Sequence, residues 1–288
     1  YRDTDYAAVS AALHAREAKL LTQAMAERMI DAATPEESYK TLLECGYAPL
    51  ERCTLENVEH ALSQARRELY REVSVLAPDK RIIELFQIKY DYHNAKLALK
   101  SKRTGEDVSR LAMDCGRFDA QKVLRGETSA VSAAMSRAMA QAESEAGHSG
   151  DVRMAELLLD RACYEEMSAL ASETGSTFLK DYVALQIDAV NLRTLVRARR
   201  MGCEDDVFAA AMLPGGHIPA GQLKGARGDH LSSLTHGTPL DSAGELAAKL
   251  LDSGGGLTEF ERACDDALMS YLQRARRTPF GPEVVAGH

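Results

Sequence analysis

Three adjacent residues, Asp91, Tyr92 and His93, are the best candidates in this sequence for proton transfer or metal binding. The surrounding sequence predicts a helix, in which adjacent side chains point about 100° apart. Asp91 and His93 therefore cannot share one site without distortion. The sequence also lacks a phosphate-binding loop, a dinucleotide fingerprint and a zinc-protease motif. We predict no catalytic residue, no metal site and no cofactor, and keep a small helical enzyme centred on Asp91 and His93 as an alternative.

The same segment carries the pattern Asp-x-x-Asn-x-(Lys/Arg)-x-x-x-(Lys/Arg), which we call a box and which occurs twice. The first box consists of Asp91, Asn94, Lys96 and Lys100, and the second, 97 positions later, of Asp188, Asn191, Arg193 and Arg197. Asparagine is a poor helix former because its amide competes for backbone hydrogen bonds. Two mid-helix asparagines at equivalent places therefore predict buried hydrogen bonds to another helix, and we interpret both boxes as architectural. The alternative is that solvated polar residues coincide by chance.

Both boxes lie on stripes of positive charge. In the first copy Lys89, Lys96, Lys100 and Arg103 fall on one helical face, and three arginines, Arg193, Arg197 and Arg200, repeat the stripe in the second. Such a stripe indicates either a solvated face or a surface that meets an acidic partner protein.

Composition favours an all-α fold. The chain has 288 residues, 45% hydrophobic and 27% charged, with only 6% aromatics and no Trp. A net charge of -8 argues against nucleic acid as a partner. No segment resembles a signal peptide or a lipid-spanning helix, so we expect a soluble, intracellular protein. The six cysteines are widely spaced and contain no C-x-x-C pair, which predicts reduced thiols.

Hydrophobic periodicity and capping residues predict the helices along the chain. The expected helical segments are 5–32, one opened by Thr34 and Pro35, 54–76 capped by Thr54, 78–103, 106–113, 119–125, 128–146 ended by Gly147–Gly150, 151–173, 176–201, and short helices within 204–236. The loop around Gly216 parallels the loop around Gly116.

The recurrence of the box at about 100 residues predicts repeat units. We place their bounds at 1–127, 128–223 and 224–288. Glu261 and Asp265 answer Glu156 and Asp160 at an offset of 105 residues. The same offset puts a third box near position 293, so we expect the third unit to be cut short in this sequence.

Four segments resemble the C subunit of the archaeal and bacterial V/A-type ATPases, a family related to the d subunit of eukaryotic V-type ATPases. Tyr90–Lys100 and Asp188–Arg197 are similar to its signature. Leu13–Leu21 resembles its first-helix pattern, and Pro279–Glu283 resembles the stretch before its last helix.

The resemblance implies a non-catalytic part of a rotary motor. Three similar helical domains with pseudo-threefold symmetry would form a funnel. Its mouth would receive the coiled-coil central axle, and its base would sit on the membrane proteolipid rotor ring. The protein would then be peripheral on the cytoplasmic face and would transmit torque for ATP-driven ion transport or ATP synthesis.

An alternative of another class is a helical-repeat adaptor that binds a peptide or protein client in a concave face. Common helical adaptors repeat at roughly 34 to 47 residues. The repeat of about 100 residues favours the rotary coupling subunit.

Overall fold

A computed structural model describes residues 2–150, 152–202, 209–226, 228–278 and 280–287, and contains helices and loops without strands over those residues. The α-helices are α1 Ala7–Glu17, α2 Gln23–Ile30, α3 Pro35–Glu44, α4 Leu55–Leu76, α5 Arg81–Thr104, α6 Ala120–Leu124, α7 Ala133–Ser149, α8 Val152–Glu173, α9 Thr177–Met201, α10 Ala220–Gly225, α11 Gly228–Thr235, α12 Asp241–Ser253, α13 Thr258–Gln273 and α14 Pro282–Gly287. Short 3-10 turns lie at Asp3–Tyr6, Ser109–Leu111, Thr128–Ala130 and Arg274–Arg277. The predicted all-α class is confirmed.

Local capping signals fix many of the helix starts. The hydroxyls of Thr34, Thr54 and Ser176 accept hydrogen bonds from the third residue of the helices that follow them. These bonds satisfy N–H groups that have no partner within a helix. The two box-bearing helices, α5 and α9, both end at a glycine in the left-handed conformation, Gly105 at φ 72° and Gly202 at φ 63°.

Several predicted helix bounds are wrong. Segment 5–32 is broken between α1 and α2, because Thr22 caps a new helix by accepting from the Met25 N–H. Helix α5 begins at Arg81 rather than Pro78, since Asp79 accepts from the Arg81 N–H. Only a 3-10 turn forms in 106–113. Segment 128–146 begins with a 3-10 turn at Thr128–Ala130, and α7 starts at Ala133 and continues through Gly147 to Ser149, where Gly150 follows with φ 68°. Three sequence features, Cys203, Pro279 and the start of the short helices at 204, lie outside the described residues.

The buried apolar side chains form two clusters that share one helix. The first cluster contains residues of α1, α5, α7, α8 and α14, and the second contains residues of α10–α13. Helix α9 contributes Val183 and Ile187 to the first cluster and Leu185 and Leu192 to the second. Because side chains leave a helix in all directions, a fully surrounded helix can serve two cores at once. Helix α9 therefore joins the two clusters, and Phe86 of α5 also packs against both.

Candidate functional site

Both asparagines of the boxes hold the loop that follows their own helix. The Asn94 Nδ2 donates to the Met113 carbonyl at 2.7 Å, and the Met113 N–H donates to the Asn94 Oδ1 at 2.9 Å. In the second copy Asn191 makes the same two bonds to Leu213, each at 2.8 Å. The prediction that these amides bond to another helix is wrong, because their partners are loop peptide groups. They are fully buried, which excludes the alternative of solvated side chains.

The aspartates of the boxes hold the same loops a few residues further on. Asp91 Oδ1 accepts from the Phe118 N–H at 3.3 Å. Asp188 accepts from the N–H groups of His217 and Ile218, both at 3.0 Å. We call these contacts, together with those of the asparagines, the first and second helix–loop junctions. Each junction satisfies loop backbone groups that would otherwise be buried without partners.

A glycine lets each loop approach its aspartate. A Cβ added to Gly116 would lie 2.2 Å from the Asp91 Oδ1, and a Cβ added to Gly216 would lie 2.1 Å from the Asp188 Oδ1. Both distances are far below a normal contact, so only glycine fits at either position. The parallel between the two loops was visible in the sequence, but the steric reason for it was not.

The first junction also contains a buried ionic network. The Arg117 guanidinium donates through Nε to Asp91 at 2.7 Å and through Nη1 to Glu166 of α8 at 2.8 Å. Glu166 accepts two further bonds, from the hydroxyls of Tyr92 at 2.9 Å and Ser132 at 3.0 Å. The network therefore ties α5 and its loop to α8. Sequence analysis missed Glu166, which has Tyr271 at the equivalent place of the repeat and so gave no signal.

Charge balance differs between the two aspartates. Burial raises the pKa of Asp91, and the guanidinium of Arg117 acts in the opposite direction. Burial also raises the pKa of Asp188. The hydrogen bonds from the two loop N–H groups and the nearby His217 act in the opposite direction and lower this pKa. The imidazole of His217 lies 3.3 Å from Asp188 and 3.5 Å from Asp181, and about half of it is exposed. A permanently charged, buried partner in the first junction is thus replaced by a half-exposed histidine in the second.

The basic residues of the boxes form ion pairs with acidic residues of another helix. Lys96 pairs with Asp160 and Lys100 with Glu156, each at 2.8 Å, which joins α5 to α8. In the second copy, α9 is joined to α13 in the same way. Arg193 pairs with Asp265 there, and Arg197 contacts Glu261 at 2.7 Å. For these four residues the stripe is neither a solvated face nor a surface that meets another protein, because acidic residues of the same chain pair with them.

The side chains of Asp91 and His93, which the enzyme alternative required to act together, make separate contacts. Asp91 belongs to the ionic network, whereas the His93 Nε2 contacts the Leu111 carbonyl at 3.1 Å. Among the described residues no group of three or more His, Cys, Asp and Glu side chains is placed to hold a metal ion. Cysteines 45, 53, 115, 163 and 264 are free thiols, as predicted.

Two similar helix–loop junctions lie on long packed helices of an all-α fold, and the buried Asp and Asn residues of both boxes bond to loops of the chain itself. The chain belongs to the ATP synthase (C/AC39) subunit family, whose model matches residues 9–288. The family that the sequence resembled is therefore confirmed.

Several curated proteins are similar to the chain over almost its whole length. The C subunit of the V-type sodium ATPase of Enterococcus hirae is 22% identical over 284 residues, which cover 96% of this chain and 87% of that protein. The C subunit of a V-type ATP synthase of Thermus thermophilus is 26% identical, with coverage of 99% and 88%. The C subunit of the A-type ATP synthase of Methanocaldococcus jannaschii is 21% identical, with coverage of 98% and 78%.

Proposed function

We propose that this protein is the non-catalytic central-stalk subunit of a V/A-type rotary ATPase, where it links the rotor axle to the membrane proteolipid ring. The observation that carries the proposal is the family match over residues 9–288. The similar C subunits of V-type and A-type enzymes support it. The role would be mechanical, in ATP-driven ion transport or in ATP synthesis.

The packing of the long helices suits a part that transmits torque. Helices α5 and α9 have 24 and 25 residues, and each is tied to its following loop by a buried junction. Ion pairs then tie α5 to α8 and α9 to α13. Such cross-links oppose bending, because displacing a helix would break buried hydrogen bonds and leave their partners unsatisfied.

The proposal extends to three units, 1–127, 128–223 and 224–288, arranged with pseudo-threefold symmetry as a funnel. On this division the Asp and Asn of each box hold a loop within one unit, while the Lys and Arg residues bridge to the next. The pairing of Arg193 and Arg197 with Glu261 and Asp265 supports the third unit. The eight box residues would then stabilise the structure within units, through the Asp and Asn residues, and between units, through the Lys and Arg residues.

The proposal also places the protein on the cytoplasmic face of the membrane as a peripheral subunit. No helix in the described part of the chain is long and apolar enough to cross a bilayer. Contact with the ring would therefore use its exposed loops and polar groups rather than the lipid interior.

A binding experiment with the two proposed partners tests this function. The purified chain is mixed with the axle subunits and, separately, with the detergent-solubilised proteolipid ring, and each mixture is passed through size-exclusion chromatography. We expect co-elution with both partners, no co-elution with an unrelated helical protein as control, and no ATP hydrolysis by the chain alone. The proposal would be contradicted if the chain bound neither the axle subunits nor the ring. Binding of a peptide client instead would favour the adaptor hypothesis.

A further inference from the structure

The loop of the second helix–loop junction is held in place by two kinds of group. Its first part is held by the Asn191 amide and by the Arg161 guanidinium of α8, which donates to two backbone carbonyls just before Leu213, each at 3.3 Å. Neither an amide nor a guanidinium changes its charge near neutral pH. Its second part is held by Asp188 and by the side chain of His217. Because histidine ordinarily gains or loses a proton between about pH 5 and 8, the two parts of the loop should respond differently to pH.

The imidazole of His217 lies between two carboxylates of α9. Its Nδ1 is 3.3 Å from Asp188, and its Nε2 is 3.5 Å from Asp181. We call these three residues the histidine clamp. A protonated imidazole has an N–H on both nitrogens, whereas the neutral ring has one N–H and one lone pair. Only the protonated ring can therefore donate to both carboxylates, and loss of the proton leaves one carboxylate facing a lone pair.

The other charged groups around the clamp keep their charge state in this pH range. Among the residues that the structure describes, His217 forms the one side-chain ion pair of Asp188. Opposite the second clamp aspartate, α13 places Tyr271, whose ring lies 5.2 Å from the guanidinium of Arg274. Burial raises the pKa of this tyrosine to about 12. From α8 the nearby cation is Arg161, which is always charged, so the histidine is the group of this neighbourhood that titrates near neutrality.

We propose that the histidine clamp is a pH-sensitive attachment of the second junction, which is closed while His217 is protonated and weakened when the imidazole loses its proton. The closed loop offers the protonated ring two carboxylates that the released loop does not. Its stabilisation is therefore present at acidic pH and lost as pH rises through the titration of the histidine. Release would loosen Ile218, which is buried in the second core cluster, and with it the start of α10. The inference concerns the protein's own loop and does not rest on the proposed function.

The first junction is the matched case without such a switch. Arg117 stands at the same place in its loop as His217, directly after the glycine that approaches the box aspartate. Its guanidinium donates to two carboxylates, those of Asp91 and Glu166, and keeps its charge at every accessible pH. The variant His217→Arg should therefore give the second loop a permanent attachment of the same kind.

Hydrogen exchange measured by NMR on the full chain tests the clamp residue by residue. The amides of His217 and Ile218, which donate to the clamp, are compared with two controls. Leu213 donates to an asparagine of the same loop junction, and Phe118 donates to the aspartate of the first junction. Protection is measured between about pH 6 and 8 and corrected for the pH dependence of chemical exchange. The wild type is compared with His217→Arg and with His217→Gln, which stays neutral, and circular dichroism checks folding.

We expect the protection of the His217 and Ile218 amides in the wild type to fall about threefold over this range, while Leu213 and Phe118 keep theirs. Protection at the two clamp amides should stay high at both pH values in His217→Arg and low at both in His217→Gln. Constant protection of the clamp amides in the wild type would overturn the inference, and so would an equal fall at all four amides, which indicates a general loss of stability. A fall that persists in His217→Arg would assign the pH dependence to Asp188 and would overturn it as well. If His217→Arg does not fold, the wild type and His217→Gln decide the question, because a pH-dependent fall in His217→Gln also contradicts a role of the histidine.

Discussion

The two helix–loop junctions share their hydrogen bonds and differ in how they balance charge. Asn94 and Asn191 bind loop peptide groups in the same way, with all four distances between 2.7 and 2.9 Å. Asp91, however, faces a buried guanidinium that also binds Glu166, whereas Asp188 faces the half-exposed His217. The part of the motif that recognises backbone is therefore repeated, because every loop offers peptide groups. The counter-charge depends on side chains that differ between the two junctions.

Because of this difference, the first junction also connects two helices. Through Arg117 and Glu166 it connects α5 to α8, so its charges hold two helices as well as a loop. The second junction holds its loop alone. Helix α9 contacts α13 through the ion pairs of Arg193 and Arg197 and through Tyr271, whose hydroxyl donates to the Phe178 carbonyl and whose ring stacks on Phe178.

Removal of the Arg117 guanidinium should reveal the largest difference in stability between the two junctions. In Arg117→Met, Asp91 and Glu166 lose their common counter-charge inside the protein, and we expect a loss of about 3–5 kcal/mol in the free energy of unfolding. The matched change His217→Met removes a half-exposed side chain and should cost roughly 0.5 kcal/mol. Urea denaturation measures both. Similar losses in the two variants would show that the junctions do not differ in charge balance.

The glycines test what the junctions have in common. Gly116→Ala and Gly216→Ala should each cost about 2–3 kcal/mol, because the new Cβ forces the aspartate out of its contacts. Gly221→Ala is the control, since its added Cβ would meet nothing within 4 Å. Thermal unfolding of the three variants provides the measurement. If the control lost as much stability as the others, close approach to aspartate would not be the cause.

The asparagines test whether the shared hydrogen bonds have equal weight. Asn94→Ala and Asn191→Ala each leave a buried loop peptide without its partners, so we expect both to lose roughly 1–3 kcal/mol. The losses should agree within about 0.5 kcal/mol if the surroundings matter little. Asn57→Ala, which removes one exposed bond to the Arg52 carbonyl, is the control and should cost less. Unchanged unfolding midpoints in both junction variants would contradict a structural role for these amides.

The pH dependence of stability should show the same contrast with a smaller effect. Burial raises the pKa of Asp188 above its ordinary value of 3.8. A raised carboxyl pKa contributes stability that is present below the unfolded value and is lost as pH rises through the folded value. Replacement of this carboxyl in Asp188→Asn should therefore become relatively less harmful as pH rises.

The aspartate of the first junction provides the comparison. In Arg117→Met the pKa of Asp91 should rise further, because the opposing guanidinium is gone, so this variant should lose stability relative to the wild type as pH rises. Urea titrations between about pH 4 and 7 measure both trends. A variant whose stability ran parallel to that of the wild type over this range would refute the assigned role of Arg117.

Local signals in the sequence predicted most of the helices. Thr34 and Thr54 cap their helices, and Gly105 and Gly202 end theirs, because the interactions involved span only a few residues. The break between α1 and α2 was missed because no Gly or Pro marks it. Leu13 before the break is buried while Leu20 within it is 59% exposed, a difference that depends on tertiary packing.

Sequence patterns also predicted part of the site, namely the box residues and the burial of the asparagine amides. Repetition identified the box residues, and the oddity of asparagine within a helix predicted that its amide is buried. The loop residues Met113 and Leu213 could not be predicted as its partners, since they contribute backbone groups, which every residue has. Glu166 has no counterpart 105 residues later, where Tyr271 stands, so no comparison within the sequence could reveal it.

Helix α9 takes part in both core clusters, and this affects how cooperatively the protein unfolds. If α9 frays or shifts, apolar side chains on opposite sides of it lose their cover together. Neither half can then melt while the other stays intact, and partial unfolding is restricted to the outer elements such as α2, which has no buried residue. Heating should therefore produce one main calorimetric transition, although the chain is long enough for two.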